Sequence, residues 1–488
     1  MSEHGEAVGG VAELIAPALR WNASAERYHC EGGSIDEALD IGVGAFCFFG
    51  GRADAAHALI AELQARSRVP LLIAADLERG AGQQFAGATG LPPLAALGSL
   101  DDLEVMRRAA RLTAREAREM GVNWDFAPVA DLDVEPNNPI VGTRSLGRDP
   151  ARVGELAAAW IESCQREGVL ACAKHFPGHG RTVSDSHATL PEVATSRDDL
   201  ASTDLVPFRA AFKANVASVM SAHVSFPALD PDGTPATLSR RILVNLLRRE
   251  LGYEGLVVTD ALIMEGARVA EGEAEGALRA INAGCDMLLY PVSFVPLARA
   301  LEDAVADGRI AAERMRQAIG RRRQWADWTT GIPATPTDAA DQEWARAVAQ
   351  RVVHVVKGRR TAIGRTIELA VIDDDIGGPY PPPSREPLRE ALVSAGFEIP
   401  RDGAQRDVPL IIALFGDIRA WKGRPGYSER AKSSVRDAAA AARKLKRKVV
   451  VLQFSHPRLA TELEAPVIVC AWGGEAVMQR AVAAWLAR

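Results

Sequence analysis

The segment Val169-Leu170-Ala171-Cys172-Ala173-Lys174-His175-Phe176-Pro177-Gly178-His179-Gly180-Arg181-Thr182-Val183-Ser184-Asp185-Ser186-His187 changes character at Lys174. Up to that lysine it is an apolar run of strand length. Beyond it, three histidines, an arginine and an aspartate crowd a stretch that Pro177, Gly178 and Gly180 keep from being helical. A strand that opens into a loop dense in titratable groups marks a site of chemistry, because loops on a rigid scaffold carry most of it. The pattern repeats outward in both directions. Strand-like runs at 41–49, 69–75, 122–129, 218–223, 256–260 and 287–290 alternate with helical patterns at 53–66, 101–120, 150–168, 236–251 and 273–283. Asp76, Asp131, Lys174 with His175, His223 and Asp260 all stand where such runs end. Parallel strands buried on both faces do not tolerate charge in their middles, so charges at one end of many strands converge on one mouth. The expectation is a (β/α)8 barrel with its active site at the C-terminal ends of the strands. A doubly wound open sheet is the competing fold, but no Gly-x-Gly-x-x-Gly fingerprint follows an early strand.

The chain has 488 residues, more than one hydrophobic core usually serves. Residues 329–341, with Pro333 and Pro336 among small polar residues, read as a linker, and 342–356 reads as a helix. A second alternation begins at 366, with strands at 367–372, 410–415, 449–454 and 467–471 and helices at 387–395, 428–445 and 475–487. It predicts a smaller three-layer α/β sandwich. The expected division is therefore a barrel over 1–328, a linker and interdomain helix over 329–365, and a C-terminal domain over 366–488. A net charge of -6 offers nucleic acid or an anionic membrane no bulk attraction. The early apolar run 11–19 is broken by Glu13 and Pro17 and reads neither as a signal peptide nor as a membrane span, so the expected location is cytoplasmic. Six scattered cysteines without Cys-x-x-Cys spacing suit a reducing compartment.

Three constellations compete for the chemistry. Asp260 directly follows an apolar strand, where a carboxylate held at a barrel rim suits a nucleophile; read alone, it suits the N-cap of a following helix better. Asp185 and His187 alternate, so both side chains fall on one side of an extended segment, where the carboxylate can hold one imidazole nitrogen and make the ring a usable acid and base. Ser186 between them suggests a hydrolytic triad, but neighbours in sequence do not reach triad geometry and no Gly-x-Ser-x-Gly elbow is present. His175, His179, Asp185 and His187 offer enough ligands for zinc, yet Pro177, Gly178 and Gly180 forbid the helix on which a His-x-x-x-His pair works. No metal and no organic cofactor is expected.

Lys-His-Phe-Pro-Gly-His-Gly at 174–180, Asp-Ser-His at 185–187 and Gly-Leu-Val-Val-Thr-Asp-Ala-Leu-Ile-Met at 255–264 together resemble glycoside hydrolase family 3, and most of all its bacterial β-N-acetylglucosaminidases. The resemblance covers most of residues 40–325 and includes Asp76 to Arg79, Phe126 to Asp131, Val141 to Ser145 and Ser221 to Ala228; it is weaker in the C-terminal domain. It implies a retaining, exo-acting enzyme acting on a small carbohydrate. Asp260 would be the nucleophile, and His187, polarised by Asp185, the general acid and base. Asp76, Arg144, Lys174 and His175 would hold sugar hydroxyls, with Asp131 a lesser member of that set and His223 lining the pocket or satisfied within the core. His179 and Arg181 would shape the loop. Arg79 departs from the glycine common at that place in the family and changes one pocket wall. Since a histidine is uncharged when deprotonated, an anionic acceptor is tolerated, so phosphorolysis stays open beside hydrolysis. A β-glucosidase and an inactive sugar-binding protein are the other readings, although the latter would be expected to lose Asp260, Asp185 or His187 first.

Overall fold

The computed structural model describes residues 10–186, 189–360, 362–375, 382–400, 408–419 and 422–488. The chain forms two compact units. The first comprises Met1–Thr89, Asp102–Val134 and Gly147–Thr337; the second comprises Gly90–Asp101, Glu135–Leu146 and Asp338–Arg488.

In the first unit, parallel pairing runs through the strands Ala45–Phe49, Leu72–Ala75, Trp124–Asp125, Leu170–Phe176, Ser218–Ser221 and Leu256–Thr259. Beyond the last of these, Val258 bridges Met287, and Leu288–Leu289 pairs with Ile15–Ala16. That segment continues into Ala18–Asn22, which lies parallel to Ala45–Phe49, so the ladder returns to its first strand. This is the (β/α)8 barrel architecture. Leu170–Phe176 is buried along its whole length, as a strand covered on both faces must be. Helices Leu103–Met120 and Pro150–Arg166 start where Asp102 and Asp149 accept backbone N–H groups, and Pro150 sits in the first turn of its helix.

Charge at the N-terminal side of the strands is structural. Asp286, fully buried before Leu288–Leu289, is held by Arg248 at 2.7 Å, Arg314 at 2.9 Å and Arg321 at 3.2 Å. Glu13 pairs with the buried Arg322 at 2.7 Å, tying helix Ala312–Thr330 to the 3-10 turn Val11–Leu14 that leads into the first strand.

Several boundaries differ from expectation, each for a local reason. The run at 41–49 is split, because residues 35–41 form a helix with a Ser34–Glu37 capping box that ends at the left-handed Gly42. The expected strand at 122–129 narrows to Trp124–Asp125, beyond which the chain leaves regular pairing except for the bridge between Val129 and Lys174. The helical pattern at 236–251 is a short 3-10 turn followed by a π-helix, Arg241–Glu250. The early run 11–19 begins as the 3-10 turn Val11–Leu14 and then supplies Ile15–Ala16 and the start of Ala18–Asn22, the first barrel strand. Among the described residues, no helix is long and apolar enough to cross a membrane.

The second unit holds a five-stranded sheet in the order His354–Lys357, Ile468–Cys470, Val449–Phe454, Leu410–Phe415, Glu368–Asp373; only the first is antiparallel to its neighbour. The two-residue period of the strands separates its two cores. Ile411, Ala413, Phe415, Val450 and Leu452 pack with helices Ala339–Arg351, Glu386–Ser394 and Ala476–Ala487. Leu410, Ile412, Leu414, Val449 and Val451 pack with helix Glu429–Lys444. The helix expected over 342–356 ends at Arg351, and its last residues instead enter the edge strand His354–Lys357, which pairs with Ile468–Cys470. Sequence reading missed that 90–101 and 135–146 fold with this unit: Ala95 and Ala96 enter its core, and Thr143 donates to Asp417 at 3.0 Å.

Candidate active site

Strand Leu170–Phe176 carries the centre of the site. Lys174 is 1% exposed, and its Nζ lies 2.6 Å from Asp76 Oδ1 and 2.7 Å from Glu78 Oε1. An ammonium taken out of water needs such partners, and two carboxylates this close to one another need the ammonium between them. The segment carrying both acids is braced from behind: Leu77 N–H donates to Asp125 at 3.2 Å. Asp125 is fully buried, and burial pushes its carboxyl up to about 7 against the pull of Lys174.

His175 points to a second buried acid. Its Nδ1 lies 2.6 Å from Asp131, whose carboxylate also accepts the backbone N–H groups of His175 at 3.2 Å and His179 at 2.6 Å. Burial raises the Asp131 pKa, but the adjoining histidines and N–H groups outweigh that and hold it below the usual carboxylate range. Asp131 thus fixes the turn by which the strand becomes the loop.

The loop is folded back on itself. His179 Nδ1 lies 2.8 Å from Thr182 Oγ1 and its Nε2 3.0 Å from Ser186 Oγ. Burial, helped by the charge of His175, pushes His179 down to about 4, so it is a neutral hydrogen-bonding pivot. Arg181 is anchored to Asp204 at 2.8 Å. Both residues therefore shape the loop. The far end is buried at Asp185 and Ser186, and the Ser186 carbonyl accepts the Gly266 N–H at 3.1 Å. His187 lies outside the described residues.

Gly266 belongs to the segment that follows Asp260, and this contact brings the two halves of the site together. Asp260 ends strand Leu256–Thr259 and is half-buried. Its Oδ1 accepts the Ala261 N–H at 2.7 Å, and no α-helix begins behind it, so it is not a helix cap. His223 is fully buried, with Nδ1 2.8 Å from Thr237 Oγ1 and Nε2 3.2 Å from the Ala261 carbonyl.

Asp76, Asp131, Lys174, His175, Asp185, His223 and Asp260 all belong to the first unit. Arg144 ends the short turn Gly142–Arg144 and belongs to the second. Sequence reasoning gave no role to Glu78 or Asp125. Glu78 stands two residues from Asp76 before a glycine, and Asp125 interrupts an apolar strand; an unexplained acid in each place was the available signal.

The model for the "Glycosyl hydrolase family 3 N terminal domain" matches residues 51–323. The chain belongs to glycosyl hydrolase family 3. It is 34% identical over 380 residues to a Cellulomonas fimi protein named beta-N-acetylglucosaminidase/beta-glucosidase, covering 72% of this chain and 67% of that one. It is 41% identical over 239 residues to the beta-hexosaminidase of Thiobacillus denitrificans, covering 48% and 66%. The chain thus spans about two thirds of the length of these relatives. Among solved structures it is similar to a family 3 beta-N-acetylglucosaminidase from Paenibacillus sp. str. FPU-7, with a TM-score of 0.82, 27% identity and coverage of 98% of this chain and 96% of that one. A beta-glucoside phosphorylase shares the fold with a TM-score of 0.83 and 22% identity, covering 100% of this chain and 92% of that one.

Proposed function

We propose that the protein is a retaining, exo-acting β-N-acetylglucosaminidase that releases terminal β-linked N-acetylglucosamine from small carbohydrates. The observation that carries this reading is the Ser186–Gly266 hydrogen bond, which ties the far end of the Asp185-Ser186-His187 loop to the segment following Asp260. In the first half-reaction Asp260 attacks the anomeric carbon while His187 gives its proton to the departing glycosidic oxygen, and the bond between that carbon and oxygen breaks. In the second, His187 takes a proton from water, the water oxygen attacks the same carbon, and the bond to Asp260 breaks. Asp185 holds the imidazole for both steps. A fixed carboxylate suits the positive charge that develops on the sugar ring. Asp76, Lys174 and His175 supply polar groups for the sugar hydroxyls, and Asp131 acts through His175.

The half-buried Arg79, whose N–H is held by Gln83 at 2.7 Å, shapes one wall of the pocket. Since the Cellulomonas fimi relative is named for both sugars, β-glucosidase activity is the second reading. Rates on aryl N-acetyl-β-glucosaminide and aryl β-glucoside, each with and without phosphate, separate the two sugars and distinguish hydrolysis from phosphorolysis. A faster rate on the glucoside contradicts the proposed sugar; sugar phosphate as product contradicts hydrolysis. We place the enzyme in the cytoplasm, in recycling of cell-wall fragments, a setting in keeping with six buried cysteines that form no disulfide.

A further inference from the structure

Asp260 lies on a turn rather than at the head of a helix, so its carboxylate must be aimed by something other than a helical backbone. Its Oδ1 is held by the N–H of Ala261 at 2.7 Å. Ala261 in turn is held by its carbonyl, which accepts the Met264 N–H at 3.1 Å and faces His223 Nε2 at 3.2 Å. A carbonyl only accepts, so Nε2 carries a proton; Nδ1 lies 2.8 Å from Thr237 Oγ1, whose hydroxyl donates to the Ala222 carbonyl at 3.0 Å. Thr237 is fixed in its turn by Ser221 Oγ at 3.0 Å, and Ser221 returns to the nucleophile's own backbone through its carbonyl, which accepts the Asp260 N–H at 3.3 Å. His223, Thr237 and Ser221 are all fully buried. A Cβ at Gly266 would stand 2.9 Å from His223 Cβ and 3.0 Å from its carbonyl oxygen, so the base of His223 also backs the segment that bonds to Ser186.

We propose that His223 is a positioning residue for the Asp260 carboxylate, acting through the Ala261 backbone and braced from its other side by Thr237. The inference rests on the reading of Asp260 as nucleophile. It separates His223 from the sugar ligands: its removal misaims the attacking oxygen without removing a contact to the sugar, so it lowers kcat and spares KM.

The test compares His223→Leu, His223→Gln and Thr237→Val on aryl N-acetyl-β-glucosaminide, with the folded fraction of each measured by circular dichroism. His223→Leu should lose at least about tenfold in kcat with KM within about twofold of wild type. His223→Gln, whose amide N–H can reach the same carbonyl, should recover most of that loss, and Thr237→Val should lose a smaller part of kcat. A folded His223→Leu with unchanged kcat overturns the inference, as does a rise in KM alone, which would make His223 a sugar ligand. Should His223→Leu not fold, the Thr237→Val and His223→Gln pair decides by the same criterion: wild-type kcat in Thr237→Val, or a kcat in His223→Gln below that of Thr237→Val, overturns it. Asp260→Ala is assayed beside them. Full activity there defeats the nucleophile reading itself; loss there with wild-type kcat in His223→Leu defeats only this inference.

Discussion

Lys174 shows at the scale of one residue why the site is both charged and stable. Its ammonium is nearly inaccessible to water and stands between Asp76 and Glu78. Removing it by Lys174→Met leaves two neighbouring carboxylates without a counter-charge, a change that should cost about 3 kcal/mol or more. Urea unfolding at neutral pH measures it, and an unchanged midpoint would show that the lysine is not the keystone of that cluster. Glu78→Gln introduced into the same variant should restore part of the loss, since it removes one of the stranded charges. Lys174, His175, Asp131 and Asp260 were legible in the sequence because charge at the end of an apolar run has few places to go. Thr237 and Ser221 were not: a hydroxyl in an apolar segment carries no sign of what it will bond until the strands are assembled.

At the scale of elements, the loop from Phe176 to Ser186 is set by packing as much as by its own residues. A Cβ on Gly180 would stand 2.0 Å from the Leu132 carbonyl oxygen, a backbone atom held in place by the Asp131 turn. Gly180→Ala must therefore push the loop away from that turn. The expected cost is on the order of 2 kcal/mol in stability, together with a fall in kcat of about tenfold or more as Asp185 and Ser186 shift. Steady-state kinetics and thermal unfolding of the one variant test both, and a variant indistinguishable from wild type would mean that the loop tolerates the displacement. The glycine was visible in the sequence, but the carbonyl that demands it was not, because Leu132 lies far along the chain. Strand Ala18–Asn22 was hidden for a related reason: Pro17 and Glu13 broke the run, and only the pairing of Ile15 with Leu288 and Ala18 with Cys47 gives it a partner on each side.

For the whole molecule, the buried titratable groups set how stability follows pH. Asp125 is raised to about 7 by burial, so the folded state holds its proton where the unfolded chain has lost it, and this residue's contribution weakens as pH climbs from the usual carboxylate range to about 7. His179 is lowered to about 4, so its contribution is full at neutral pH and is lost as pH falls through the usual histidine range toward 4. Asp125→Asn should thus gain on wild type between pH 4 and pH 7, by up to about 4 kcal/mol, and hold that gain above. Unfolding midpoints across that range give the answer, and a gain independent of pH would contradict it. The two α/β alternations were readable from periodicity alone. What periodicity could not supply was the allegiance of 90–101 and 135–146, which interrupt the barrel's sequence and fold with the second unit.

In the proposed reaction Asp260 forms the bond to the sugar. Its most direct test is the rate of aryl N-acetyl-β-glucosaminide hydrolysis by wild type and Asp260→Ala, with azide added to the variant as a replacement nucleophile. A loss in kcat of at least about 1000-fold is expected, with partial rescue by azide as the α-configured glycosyl azide. An Asp260→Ala enzyme that still turns over at a wild-type rate would contradict it.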